Sequence, residues 1–212
     1  MQNIAIIDYN MGNLHSVERA MNHVVGQNVS VKVTSDPDFI LKADRIVFPG
    51  QGAARDCMRE LETRGIGEVV KEVIQTKPFL GICMGMQVLM QHSAENGGID
   101  CLGIYAGNVR YFGHVHEELG VRLKIPQMGW NQVWQHTAHP LWQGINDGAR
   151  FYFVHSYYVD PSDSALMAGA TDYGIRYASA IARDNVFAIQ CHPEKSADDG
   201  LKLLENFVNW QI

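Results

Sequence analysis

Phe79-Leu80-Gly81-Ile82-Cys83-Met84-Gly85-Met86-Gln87 is the stretch that decides the fold. Residues 79–82 have the length and apolarity of a short buried strand, and the apolar run after Cys83 predicts a helix from about Met84 to Ala94. Between them lies Gly-x-Cys-x-Gly, the pattern of a nucleophile held on a sharp strand-to-helix turn. The glycines leave room for the backbone on either side. The following helix aims its positive end at the sulfur, which favours thiolate. The five residues alone fit a buried structural cysteine among glycines equally well.

Working outward, the first half alternates short apolar runs with helical spacing. Residues 3–9, 29–33 and 44–48 read as strands, the last stopped by Pro49-Gly50. Residues 14–25 (through Leu14, Val17, Met21, Val24 and Val25), 53–61 and 66–75 read as helices. Apolar strands alternating with helices predict an α/β fold with a mostly parallel central sheet flanked by helices. The second half changes character. Residues 104–112, 121–125, 130–135, 150–159, 165–170, 175–183 and 186–190 are strand candidates, and residues 197–210 return to helical spacing. An added antiparallel region closed by a C-terminal helix follows. No linker or repeat is visible, so residues 1–212 are expected to form one domain.

Composition excludes several functions. With 17 basic and 23 acidic residues the net charge is −6, which disfavours bulk binding to nucleic acid or anionic membrane. The 46% hydrophobic content is globular. The four cysteines (Cys57, Cys83, Cys101, Cys191) are too scattered for a disulfide framework, and no CxxC pair suggests zinc. No signal peptide or bilayer-length apolar run is visible, so a cytoplasmic protein without metal or cofactor is expected.

A nucleophilic cysteine needs a base, and the base an orienter. His192 and Glu194 stand two apart after the strand at 186–190, where the carboxylate can reach the far nitrogen of the imidazole. Read alone, Pro193, Glu194 and Ser196 are ordinary helix-start residues. Pro49-Gly50-Gln51-Gly52 follows another strand and can turn backbone N–H groups toward an oxyanion.

These three elements, in this order, resemble the class I glutamine amidotransferases. Asp8-Tyr9-Asn10-Met11-Gly12-Asn13-Leu14, Pro126-Gln127-Met128-Gly129-Trp130-Asn131 and Tyr152-Phe153-Val154-His155-Ser156-Tyr157 are similar, more narrowly, to the glutaminase subunits of imidazole glycerol phosphate synthases. The resemblance implies that Cys83 attacks the carboxamide of glutamine, that His192 moves the proton and that Glu194 holds His192. It implies an oxyanion site around Gly50, Gln51, Gly52 and the N–H of Met84. Gln87, one helical turn beyond Cys83, would anchor glutamine. Glu95, near the end of the elbow helix, would take the substrate amino group, and backbone near His155, Ser156 and Tyr157 would complete the pocket. The ammonia would pass to a (βα)8-barrel cyclase partner. Asn13, Met128, Trp130, Asn131 and Lys195 match positions near that interface, although a core aromatic is the lesser reading of Trp130, since Trp is commonly buried as well as interfacial. A chain of 212 residues has no room for the domain that uses the ammonia, so that domain is expected to be another protein.

The chain departs from the family where Val is usual (Gln51), an aromatic (Ala54), Leu (Met84) and Phe (Cys191), and over residues 112–123. The other readings are a paralogue feeding another synthase, a stand-alone cysteine hydrolase and a non-catalytic regulatory subunit. His114-Val115-His116-Glu117-Glu118 reads as a solvated loop, and His136 and His139 read as surface. Cys57, Cys101 and Cys191 are assigned structural roles, Cys191 because strand alternation turns it away from the His192 face.

Overall fold

The computed structural model describes residues 1–120 and 122–212, the side chains at 115 and 116 excepted. In chain order the elements are β1 (Gln2–Ile7), α1 (Leu14–Val24), β2 (Val29–Thr34), α2 (Pro37–Lys42), β3 (Arg45–Gly50), α3 (Ala54–Thr63), α4 (Ile66–Val73), β4 (Phe79–Cys83), α5 (Met84–Gln87), β5 (Met90–Ser93), β6 (Ile99–Asp100) and β7 (Tyr105–Tyr111). There follow α6 (Phe112–Glu118), β8 (Gln127–Gln135), β9 (Ala149–His155), β10 (Tyr157–Pro161), β11 (Met167–Asp172), β12 (Arg176–Arg183), β13 (Val186–Ile189) and α7 (Ala197–Asn209).

The strands order as β2-β1-β3-β4-β13-β12-β10-β7-β5-β6, with β11, β8 and β9 branching from β12. The stretch from β2 to β13 is parallel, and from β13 onward the pairings are mostly antiparallel. This is the α/β sheet with an antiparallel extension that the sequence predicts. Strand alternation divides the core between two faces. Ile4, Ile6 and Val47 face α1 and α7 through Val17, Met21, Leu203, Leu204 and Phe207. Ala5, Ile7, Ile46 and Phe48 face Ile40 of α2, Cys57 and Leu61 of α3, and Val70 and Val73 of α4. Asp36 caps α2 by accepting from the Asp38 N–H, with Pro37 in the first turn.

The pairings that matter most for function are β3 and β13 on either side of β4. Gly50 lies opposite Cys83, and Ile189 lies opposite Ile82. Three parallel strands therefore end at one edge of the sheet, and the segments after them meet there. This is where ligands bind in open α/β sheets.

Several predicted elements are corrected. The elbow helix ends at Gln87, not near Ala94, and the chain re-enters the sheet as β5. A fully buried apolar run has no polar face, so its periodicity cannot separate helix from strand. Pro49 and Gly50 belong to β3 rather than stopping it. Residues 150–159 divide into β9 and β10 around Ser156. Val121 lies outside the described residues, and residues 122–125 form no strand. The loop expected around His114 is α6. No helix among the described residues is long and apolar enough to cross a membrane.

Candidate active site

Cys83 adopts φ 56° and ψ −111° at the junction of β4 and α5. For a residue with a Cβ that backbone costs about 1–3 kcal/mol and persists only where its surroundings enforce it. They do so by close approach. A Cβ at Gly85 would overlap the carbonyl oxygen of Phe48 on β3, so only glycine lets the chain turn this tightly. The helix dipole expected to favour thiolate is reduced to the single turn of α5.

A cleft of about 620 Å³ opens above Cys83. Among the residues expected at the site, Gln51, Gly52, Cys83, Met84, Gln87, Glu95, His155, Ser156, Tyr157, His192 and Lys195 all line it. Gly50 lies just beneath, paired with Cys83. Asn10, Met11, Gly12, Pro126 and Val154 also line the cleft. Their residue types alone gave no sign of a site, although each falls in a segment that carries the family resemblance.

The His192 backbone is clamped in three places. Its N–H donates to Tyr152 O (2.9 Å), and its carbonyl accepts from the Ser196 hydroxyl (2.6 Å) and the Lys195 N–H (3.0 Å). Ser196 Oγ in turn accepts from the Tyr152 N–H. On the ring, Nδ1 lies 2.9 Å from Glu194 Oε1. A carboxylate there holds the proton on Nδ1 and leaves Nε2 as the base. Nε2 is buried beside Cys83 without a hydrogen bond of good geometry, yet the sulfur acts on it. Burial alone would lower the His192 pKa, but Cys83 and Glu194 outweigh it and push it up to about 10. The imidazolium is therefore the stabilised form when Sγ carries charge.

The other cysteines lie in different settings. Burial raises the thiol of Cys57 to about 12 and that of Cys101 to about 11, and also raises Cys191, which is fully buried. None of the three lines the cleft. Cys57 instead donates to the Gln51 carbonyl (3.4 Å). That bond directs the Gln51–Gly52 carbonyl toward α3 and its N–H the opposite way, since a trans peptide sets them antiparallel. Gly52 holds φ +89° there, a value glycine adopts at no steric cost.

Glu95 reaches the cleft by a route other than the expected helix. It opens a 3₁₀ turn after β5, and its Oε2 accepts from the Ala54 N–H at 2.6 Å. This cleft-lining carboxylate is thereby tied to the first turn of α3, two residues beyond Gly52. Gln87 is also committed. Its Nε2 donates to Tyr157 O (3.1 Å) and Gln190 Oε1 (2.8 Å), so only its Oε1 remains for a ligand. His155, a buried residue of the cleft wall, is held neutral as burial drops its pKa to about 4, with Nδ1 donating to Tyr157 O at 2.7 Å.

Beside the cleft mouth, β8 pairs with β9 so that Met128 lies opposite Val154. Met128 is 65% exposed and Trp130 46%, which removes the core reading of Trp130. Asn131 is half-buried and donates to Asp172 O (2.9 Å), and Asn13 ends the loop that enters α1. His139 is not a surface residue. It is half-buried against Phe187 and Trp210, and burial lowers its pKa to about 4. No group of three or more metal-ligating side chains occurs among the described residues.

Residues 5–210 match the Glutamine amidotransferase class-I family. The chain belongs to that family. It is 56% identical over 209 residues to the imidazole glycerol phosphate synthase subunit HisH of Thiobacillus denitrificans, covering 98% of this chain and 91% of that protein. It is 54% identical over 213 residues to the same-named subunit of Acinetobacter baylyi, covering all of both. Solved structures share the fold at lower identity. A glutamine amidotransferase crystal structure has a TM-score of 0.70 at 13% identity, over 97% of this chain and 98% of that one. PurLQS from Thermotoga maritima has a TM-score of 0.68 at 16% identity, over 98% of each.

Proposed function

We propose that this class I glutamine amidotransferase is the glutaminase subunit of an imidazole glycerol phosphate synthase in histidine biosynthesis. It acts as a single domain, in the cytoplasm, in a heterodimer with a (βα)8-barrel cyclase. The observation that carries the reading is the strained Cys83, with the unpaired Nε2 of His192 buried beside it and Glu194 behind.

His192 Nε2 takes the Sγ proton, and the thiolate attacks the side-chain carboxamide carbon of glutamine. The oxyanion of the tetrahedral intermediate is met by the Met84 N–H and by N–H groups of the Gly50-Gln51-Gly52 loop. Collapse breaks the C–N bond while His192 returns the proton to the departing ammonia, leaving a glutamyl thioester on Cys83. Water, deprotonated by His192, then releases glutamate. Glu95 and the acceptor oxygen of Gln87 suit the ammonium and amide N–H groups of glutamine.

Ammonia does not diffuse away. It enters the barrel, which joins it to a phosphoribosyl-formimino carboxamide ribonucleotide and, by a lyase step, yields imidazole glycerol phosphate and an aminoimidazole carboxamide ribotide. Met128, Trp130, Asn131, Asn13 and Lys195 form the docking face around the cleft mouth. The exposure of Met128 and Trp130 supports this, because large apolar side chains left in solvent mark interaction surfaces.

An electrophilic glutamine analogue tests the site. Mass spectrometry is expected to find the adduct on the Cys83 peptide, with free glutamine protecting it. Labelling spread evenly over the four cysteines contradicts the reading.

A further inference from the structure

Gln190 is fully buried, and its Nε2 lies 3.6 Å from the Sγ of Cys83. Which end of its carboxamide faces the sulfur follows from donor and acceptor bookkeeping along a buried chain. Tyr157 O is a carbonyl and only accepts, so the end of Gln87 lying 3.1 Å from it is the NH2. That same NH2 lies 2.8 Å from the near end of Gln190, which must therefore be the oxygen. The end left for Cys83 is an N–H donor. Reversing either amide would set donor against donor or acceptor against acceptor between two buried side chains.

The chain is anchored at its far end. Tyr157 O also accepts from Nδ1 of His155 (2.7 Å), whose other nitrogen is left an acceptor 3.2 Å from the Tyr177 hydroxyl. The Tyr157 carbonyl at the start of β10 thus fixes the orientation of Gln190 through Gln87.

We infer that Gln190 is a further catalytic residue, whose carboxamide N–H is the fixed hydrogen-bond donor to the Cys83 thiolate. A thiol sulfur accepts weakly, while a thiolate accepts as an ion, so the donor favours the charged form. When His192 takes the proton, the N–H of Gln190 meets the charge left on sulfur. As the sulfur–carbon bond forms and the charge moves to the oxyanion, the N–H to sulfur contact weakens. No other reactant is needed. This rests on Cys83 being the nucleophile.

The test is the rate of iodoacetamide alkylation at each cysteine of the full chain from pH 6 to 10, read by mass spectrometry. In the wild type, Cys83 is expected to react faster than Cys101, and failure of that alone removes the nucleophile reading and this inference with it. Gln190→Met is expected to slow Cys83 by about tenfold at pH 7, with the deficit closing toward pH 10 as solution deprotonates the thiol. Gln190→Glu, which sets a carboxylate against the sulfur, is expected to be slower than Gln190→Met at pH 7. A reactive wild-type Cys83 with variant profiles parallel at every pH, or with Glu no slower than Met, overturns the donor role and leaves packing. The wild-type protein gives a readout independent of variant folding. The Gln190 side-chain amide resonances are expected to move when Cys83 is alkylated, and unmoved resonances overturn the inference.

Discussion

Nδ1 of His192 lies 2.9 Å from Oε1 of Glu194, whose side chain is only 1% exposed. A buried carboxylate in this position fixes the tautomer that leaves Nε2 free toward Cys83. In Glu194→Gln an amide N–H can face Nδ1 and force the proton onto Nε2. Glutamine turnover with the barrel bound is expected to fall by about 10²–10⁴-fold with the fold intact. Steady-state kinetics with circular dichroism check this, and turnover within twofold of wild type would contradict it.

The turn at Cys83 depends on the missing side chain at Gly85, because a Cβ there meets the Phe48 carbonyl. Gly85→Ala is expected to destabilise the protein by at least about 2 kcal/mol, since the obstacle is backbone on a central strand. Urea unfolding measures it.

Burial holds His139 neutral, with its pKa lowered from 6.5 to about 4. The unfolded chain takes up a proton below about 6.5 that the folded chain refuses until about 4. Stability is therefore lost as pH falls through that window. His139 Nδ1 accepts from the Leu141 N–H, and Asn keeps an acceptor there without titrating. His139→Asn is expected to lose less stability than wild type between pH 7 and 4.5. Equal losses in urea midpoints would show that His139 does not refuse the proton.

Met128 and Trp130 stand exposed on β8, beside a cleft wall formed by Val154. An apolar anchor at an interface centre is worth about 2 kcal/mol or more. Trp130→Ala is expected to weaken barrel binding about tenfold or more, while ammonia-dependent synthesis by the barrel is unchanged. Calorimetric titration of the two subunits checks it.

Much of this was legible in the chain because the informative signals are local. β1, β3, β4 and β13 are compact apolar runs, and the Gly81-to-Gly85 turn and His192 with Glu194 lie within a few residues of each other. What was lost is tertiary. The run after Cys83 is buried all round, so nothing in it marks the change from α5 to β5, and Glu95 was placed on a helix that does not reach it. Trp130 could be assigned only once its side chain was seen left exposed on β8, where that strand pairs with β9 beside the cleft. Gln190 was missed although a signal existed. The alternation that turns Cys191 away from the His192 face puts Gln190 on that face, two residues before the base. Its role appears only when β13 pairs with β4.

The decisive measurement is synthesis of imidazole glycerol phosphate by the barrel mixed with Cys83→Ala, supplied with glutamine or with ammonium salt. Glutamine-dependent synthesis is expected to vanish and ammonia-dependent synthesis to persist at the wild-type rate. Glutamine turnover surviving the loss of the Cys83 sulfur would contradict the assignment.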